Sequence, residues 1–160
     1  MSLNKNFLSL DKFIHQALYS PKTGFYMKKN PFGDKGDYIT SPLISVLFSE
    51  MLSVWTVAFW QNLKCPKNIN LIELGAGNGQ MMYDMINSFK SFPEFNKSCK
   101  FYIFETSPYL KKIQKEKLKG FNVIWIKNLN EIKKNYNIFI ANEFFDALPI
   151  KQFFRVNKKW

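Results

Sequence analysis

The sequence predicts an α/β fold: a parallel sheet whose strands alternate with helices, preceded by a helical and loop segment. Three observations carry this. After Cys65-Pro66 the hydrophobic period switches to short apolar runs separated by stretches of helical spacing. Strands that alternate with helices argue for a parallel sheet with crossover connections. The first run ends in a glycine-rich turn, Gly75-Ala76-Gly77-Asn78-Gly79, where a strand hands over to a helix. At 160 residues, 46% of them hydrophobic, the chain has the length and apolar content of one domain with a real core.

The elements follow in order. Asp11 to Tyr19 has an apolar stripe of Phe13, Ile14, Ala17 and Leu18 behind a cap at Ser9 or Asp11, and Pro21 and Gly24 break it. Lys28 to Pro42, rich in Gly, Pro, Asn and Asp, reads as an ordered loop, after which Ser41 is a natural N-cap with Pro42 at the first helical position. Leu43 to Leu63 is apolar almost all round. It is about long enough for a bilayer, but Glu50 near its middle argues for a buried helix and against a membrane span. Ile69 to Leu74, Phe101 to Phe104, Val123 to Ile126 and Ile138 to Ala141 read as strands, with helices at Asn78 to Phe92 and Pro108 to Leu118. The last crossover, Lys127 to Asn137, is short for a helix. Lys151 to Val156 reads as the start of a fifth strand or a hairpin.

The net charge of +11 invites a nucleic-acid partner. Yet only Arg155 among 23 basic residues is arginine, and Lys111, Lys112, Lys115, Lys117 and Lys119 sit on one helix as a solvated face, which argues against nucleic acid. His15 is the only histidine, and Cys65 and Cys99 form no CxxC pair, so no metal centre and no Ser-His-Asp triad is expected. Free thiols fit a reducing compartment. The N-terminus lacks an apolar signal core, and the reading is cytoplasmic.

The turn Glu73-Leu74-Gly75-Ala76-Gly77-Asn78-Gly79 departs from the dinucleotide fingerprint at Gln80, where a third glycine belongs, and lacks the Gly-Lys-Ser/Thr of a P-loop. Its E-x-G-x-G-x-G pattern resembles the first motif of class I S-adenosylmethionine-dependent methyltransferases. That resemblance implies an acid at the end of the second strand to hold ribose hydroxyls, and Glu105 stands there. The run Asn142-Glu143-Phe144-Phe145-Asp146-Ala147-Leu148-Pro149 follows the fourth strand, where this class keeps its catalytic loop. Its two acids either face a ligand or serve locally, Asp146 capping the turn and Glu143 pointing to solvent.

Together, GFYM, GDYITSP, ELGAGNG, FYIFETSPYL and NEFFDALPIKQF resemble the MidA-type methyltransferases, relatives of the mitochondrial enzyme that methylates an arginine of NADH dehydrogenase during complex I assembly. The resemblance implies S-adenosyl-L-methionine as cofactor, bordered by Glu73, Gly75, Gly77, Gly79 and Glu105, with Thr40 and Ser41 closing the pocket from the N-terminal side. It implies a protein arginine as substrate, gripped by Glu143 and Asp146 with Asn142 orienting cofactor or substrate, and a mitochondrial matrix location in a eukaryote. Residues 1–66 would then pack on the pocket, and 67–160 would form the N-terminal half of a Rossmann-like domain. Such a sheet has more strands than the four or five here, so the missing part is expected from another chain or the chain is an inactive fragment. A small molecule or RNA is the other substrate class.

Overall fold

A computed structural model of the chain describes residues 8–28, 31 and 41–159. Thr40 and most of the loop from Lys28 to Pro42 lie outside them. The described chain runs α1 (Leu10–Tyr19), α2 (Phe25–Lys28), α3 (Ser41–Ile44), α4 (Val46–Asn62), β1 (Ile69–Leu74), α5 (Gln80–Phe89), α6 (Pro93–Ser98), β2 (Cys99–Phe104), α7 (Pro108–Lys117), β3 (Val123–Ile126) and β4 (Tyr136–Ile140). The strands form one parallel sheet in the order β3-β2-β1-β4.

This order positions everything that follows. From β1 the chain builds β2 and then β3 on one side, and then returns to place β4 on the other side of β1. The direction of strand addition reverses at β1, which opens a crevice beyond its carboxyl end. β1 is buried along its whole length, as a strand covered on both faces must be, and its polar Asn70 is accommodated by donating to Asn137 Oδ1 (2.8 Å) and the Lys133 carbonyl (3.2 Å). Asn70 and Asn137 are register partners, so the pair also locks β1 against β4.

One face of the sheet packs on α5 and α6 through an aromatic cluster. Phe89 stacks on Phe101 at 5.8 Å and meets Phe95 at 4.6 Å, and Trp60 closes the cluster edge-on against Phe95 at 5.5 Å. Helix α6 falls outside the sequence expectation, which had run the preceding helix to Phe92; Pro93 restarts the chain as a separate helix so that Phe95 can turn inward. Between β3 and β4 there is only one 3₁₀ turn, Leu129–Glu131, closed by a reciprocal Asn128 and Glu131 capping box.

Two expectations need correction. Leu43 to Leu63 is not one helix buried all round. It breaks at Ser45, whose side chain caps α4 by accepting from the Leu47 amide (3.2 Å), and α4 turns Ser49, Ser53, Thr56, Val57 and Trp60 inward. Ser53 and Thr56 donate back to the Ser49 and Leu52 carbonyls (both 2.7 Å), so these side chains satisfy themselves and behave as small packing groups against α5. Other large apolar side chains face outward: Met51 is 61% exposed and Trp55 53%. No described helix is long and apolar enough to cross a membrane. Nor does Lys151 to Val156 form a strand; the segment runs without regular pairing until an isolated bridge joins Val156 and Lys159.

The aromatic cluster yields a direct test. Phe89→Ala, which empties a fully buried site in contact with two rings, should lower the unfolding free energy by about 3–5 kcal/mol in urea titrations.

Candidate functional site

The carboxyl ends of β1, β2 and β4 converge on one cleft with two lobes that share Gly75, Gly77 and Glu143. The first lobe is lined on the β2 side by Phe104, Glu105, Thr106, Ser107 and Leu110, on the β4 side by Phe144 and Ala147, and from the N-terminal helices by Tyr19 and Tyr26. The second is lined by Glu73, Ala76, Asn78, Gln80 and Met81 from β1 and its turn, by Asn142, and by Pro42.

The turn after β1 takes its shape from its glycines. Gly75, Gly77 and Gly79 all have positive φ, at 67°, 54° and 83°. At Gly75 there is also no room: a Cβ there would stand 2.6 Å from Phe144 Cδ2. The close approach lets Phe144 lie over the turn, edge-on to Phe104 at 6.3 Å, while its neighbour Phe145 is exposed. Gly79 starts α5 and packs on Gln114, outside the lining of both lobes.

Glu105 is buried and fixed. Its Oε1 accepts from the Ser107 amide (2.7 Å) and its Oε2 from Gln114 Nε2 (3.0 Å). Gln114, fully buried on α7, also donates to the Gly77 carbonyl (2.9 Å) and accepts at Oε1 from Trp125 Nε1 (3.0 Å). This one amide therefore ties the β1 turn, the acid after β2 and strand β3 into a single network. Burial pushes the Glu105 carboxyl above its ordinary pKa, against the pull of the Ser107 and Gln114 hydrogen bonds.

Glu73 is the more strained acid. It is 3% exposed, its Oε2 has no hydrogen-bond partner, and burial, reinforced by the charge of Glu105, pushes its pKa up to about 8. The Met82 amide offsets this only in part. Glu143 is exposed yet lines both lobes, and it is held at φ 47°, a left-handed conformation unusual for a side chain of its size. Three acidic side chains thus line the cleft, and no lysine, arginine or histidine is among its described lining residues.

The cleft brings together Glu73, Gly75, Gly77, Glu105, Asn142 and Glu143 of the residues singled out from the sequence. Asp146 is exposed and outside the lining, Ser41 is replaced there by its neighbour Pro42, and Thr40 lies outside the described residues. Sequence reasoning missed Tyr19, Tyr26 and Gln114. The tyrosines flank the Pro21 and Gly24 break, a turn that signals a chain reversal. Gln114, amid the lysines of α7, left no trace beyond its helical position. Among the described residues no cluster of His, Cys, Asp and Glu is arranged to hold a metal ion.

Residues 51–160 match the family model described as "Putative S-adenosyl-L-methionine-dependent methyltransferase". The mitochondrial protein arginine methyltransferase NDUFAF7 of Xenopus laevis is 31% identical over 96% of the chain, and its Homo sapiens counterpart is 29% identical over the same share. The match covers 40% of either relative, so the chain spans about two fifths of their length. A COG1565 superfamily member from Burkholderia thailandensis, crystallised with S-adenosyl-homocysteine, superposes with a TM-score of 0.72 at 26% identity, over 89% of this chain and 38% of that one.

Two measurements probe the site. Because the folded chain keeps a proton on Glu73 that the unfolded chain releases near 4.5, the contribution of Glu73 to stability is full below that pH and should be lost as pH rises toward about 8, by on the order of a few kcal/mol; Glu73→Gln should remove this part of the slope in pH-dependent denaturation. Gln114→Leu, which leaves the Gly77 carbonyl, Glu105 Oε2 and Trp125 Nε1 unpaired, should cost roughly 2–4 kcal/mol in thermal unfolding.

Proposed function

The chain belongs to the methyltransferase family that its residues 51–160 match, and from that premise we propose that its cleft binds S-adenosyl-L-methionine for methyl transfer to an arginine side chain of a protein. The observation that carries the reading is the charge of the cleft. In a chain of net charge +11, three acidic side chains and no described basic residue line the one crevice at the strand ends, with Glu73 held protonated until a cation meets it, an arrangement suited to a positively charged ligand and a positively charged substrate.

The residues fit such a cofactor. Each Glu105 oxygen already accepts one bond and retains a lone pair, so the carboxylate can receive two neighbouring ribose hydroxyls. The unpartnered Glu73 oxygen suits an ammonium, and the positive-φ turn at Gly75 and Gly77 lets a ligand lie against the backbone. When bound, the cofactor supplies an electrophilic methyl group on a sulfonium.

The remaining work falls to the chain. Methyl transfer is an in-line displacement that depends on positioning and on exclusion of water. Glu143, at the junction of the two lobes, would grip the guanidinium through paired N–H bonds and take the proton that leaves the alkylated nitrogen. Phe144 walls the first lobe, and Asn142, in the second lobe, orients cofactor or substrate. Asp146, on the exposed side of the same loop, would meet the substrate protein away from the reacting nitrogen. The names of the relatives support arginine as the acceptor and the mitochondrion as the compartment of a eukaryotic form; a bacterial form would act in the cytoplasm, and the resemblance carried by NEFFDALPIKQF and the other motifs points to NADH dehydrogenase as the substrate in either case.

Calorimetric titration with S-adenosylmethionine tests this. Saturable binding is expected for the wild type. It should be lost in Gly77→Val, which forces a β-branched residue to φ 54°, and weakened at least about tenfold in Glu105→Gln. A folded wild type that takes up no cofactor, or variants that bind as it does, would overturn the reading.

A further inference from the structure

The helical pair α1 and α2 has no buried residue, yet it sends two tyrosines into the cleft. The turn between them is tight: the Gly24 amide donates to the Ser20 carbonyl (2.7 Å), and a Cβ on Gly24 would stand 2.6 Å from the Ser20 nitrogen. The reversal places Tyr19 and Tyr26 ring to ring, with centroids 5.8 Å apart. Two long-range hydrogen bonds then hold the pair to the sheet, and both end on elements of the cleft. The Tyr19 hydroxyl donates to the Ala147 carbonyl (2.8 Å), on the loop that carries Glu143 and Phe144. The Ser107 hydroxyl donates to the Tyr26 carbonyl (2.7 Å), and the amide of the same Ser107 holds Glu105.

We propose that Tyr19 and Tyr26 form an aromatic wall for the base of the nucleoside whose ribose Glu105 holds, and that the Tyr19 hydroxyl positions the loop after β4 against that ligand. The inference rests on the reading of the cleft as a site for an adenosyl cofactor. A nucleoside held at Glu105 has its base within one ring system of the ribose, and the first lobe offers that base the rings of Tyr19, Tyr26, Phe104 and Phe144 and the side chain of Leu110. Aromatic rings hold bases by stacking, which needs no donor code and works in a half-buried site. The Tyr19 hydroxyl can serve as a lasting donor, because burial, with Tyr26, Glu105 and Asp146 nearby, pushes its pKa up to about 12. The wall is built by residues far from the family's glycine turn in sequence: Tyr19 and Ala147 are 128 positions apart. Since both of these bonds end on elements of the cleft, ligand binding and docking of α1 and α2 are coupled.

The test compares titrations of S-adenosylhomocysteine and of adenosine alone into wild type, Tyr19→Leu, Tyr26→Leu, Tyr19→Phe and Glu105→Gln, with hydrogen exchange followed over residues 8–28 and 141–149. Because α1 and α2 have no buried residue, the tyrosine variants should keep the wild-type melting temperature to within a few degrees. Each leucine variant should weaken both ligands by the same factor, about tenfold or more, because the loss follows the adenosine moiety they share. Tyr19→Phe keeps the ring and should lose only a few-fold in affinity, with faster exchange over residues 141–149. In the wild type either ligand should slow exchange over 8–28. Unchanged affinity in both leucine variants, alongside loss in Glu105→Gln, would refute the wall and leave the cofactor reading standing. Absence of binding by the wild type, or an unaffected Glu105→Gln, would overturn both.

Discussion

The hydrogen-bonded amide of Gln114 is the constraint on which the site depends. Fully buried on α7, it bonds at once to the turn after β1, to the acid after β2 and to the indole of β3. Each of those groups would be costly to bury alone, and each is satisfied only if the three strands hold their register. The amide converts three strand ends into one rigid floor. A floating Glu105 could accept hydrogen bonds from anything; one whose two oxygens are already engaged presents its remaining lone pairs in fixed directions.

The charge of that floor runs against the charge of the molecule. The chain as a whole is strongly basic, while the described lining of its cleft is acidic. Glu73 shows the cost: burial and the neighbouring Glu105 hold it protonated near neutrality, with one oxygen unpartnered. The strain at Glu143, held in a left-handed conformation at the mouth of both lobes, is a second unfavourable feature gathered in the same cleft.

Helix α4 shows how composition can mislead. Its sequence is apolar nearly all round, and the natural expectation is burial all round. Packing chose instead the face that carries Ser49, Ser53 and Thr56 beside Val57 and Trp60, because small side chains let α4 approach α5 closely, and the bulky Met51 and Trp55 were left outside. Hydrophobicity says how much surface a helix would hide; side-chain volume decides which surface fits.

The four strands and the helices α5 and α7 were legible in the sequence to within two or three residues, because the period of apolar residues is a local property. So were the glycine turn and Glu105, since a turn at positive φ demands glycine and an acid at a strand tip stands out from its apolar run. The parallel sense of the strands could be inferred from the alternation of elements; their order, and with it the reversal at β1, could not. What only the tertiary structure decided was which distant side chains meet. Tyr19 joins Ala147, Ser107 joins Tyr26 and Gln114 joins Gly77 across separations of 128, 81 and 37 residues, and no periodicity carries that information. Glu143 reached the cleft while Asp146, three positions on, did not, because the chain turns sharply at Glu143 and packs Phe144 against Gly75. Local sequence determines which groups are available; the closure of the sheet determines which of them share a site.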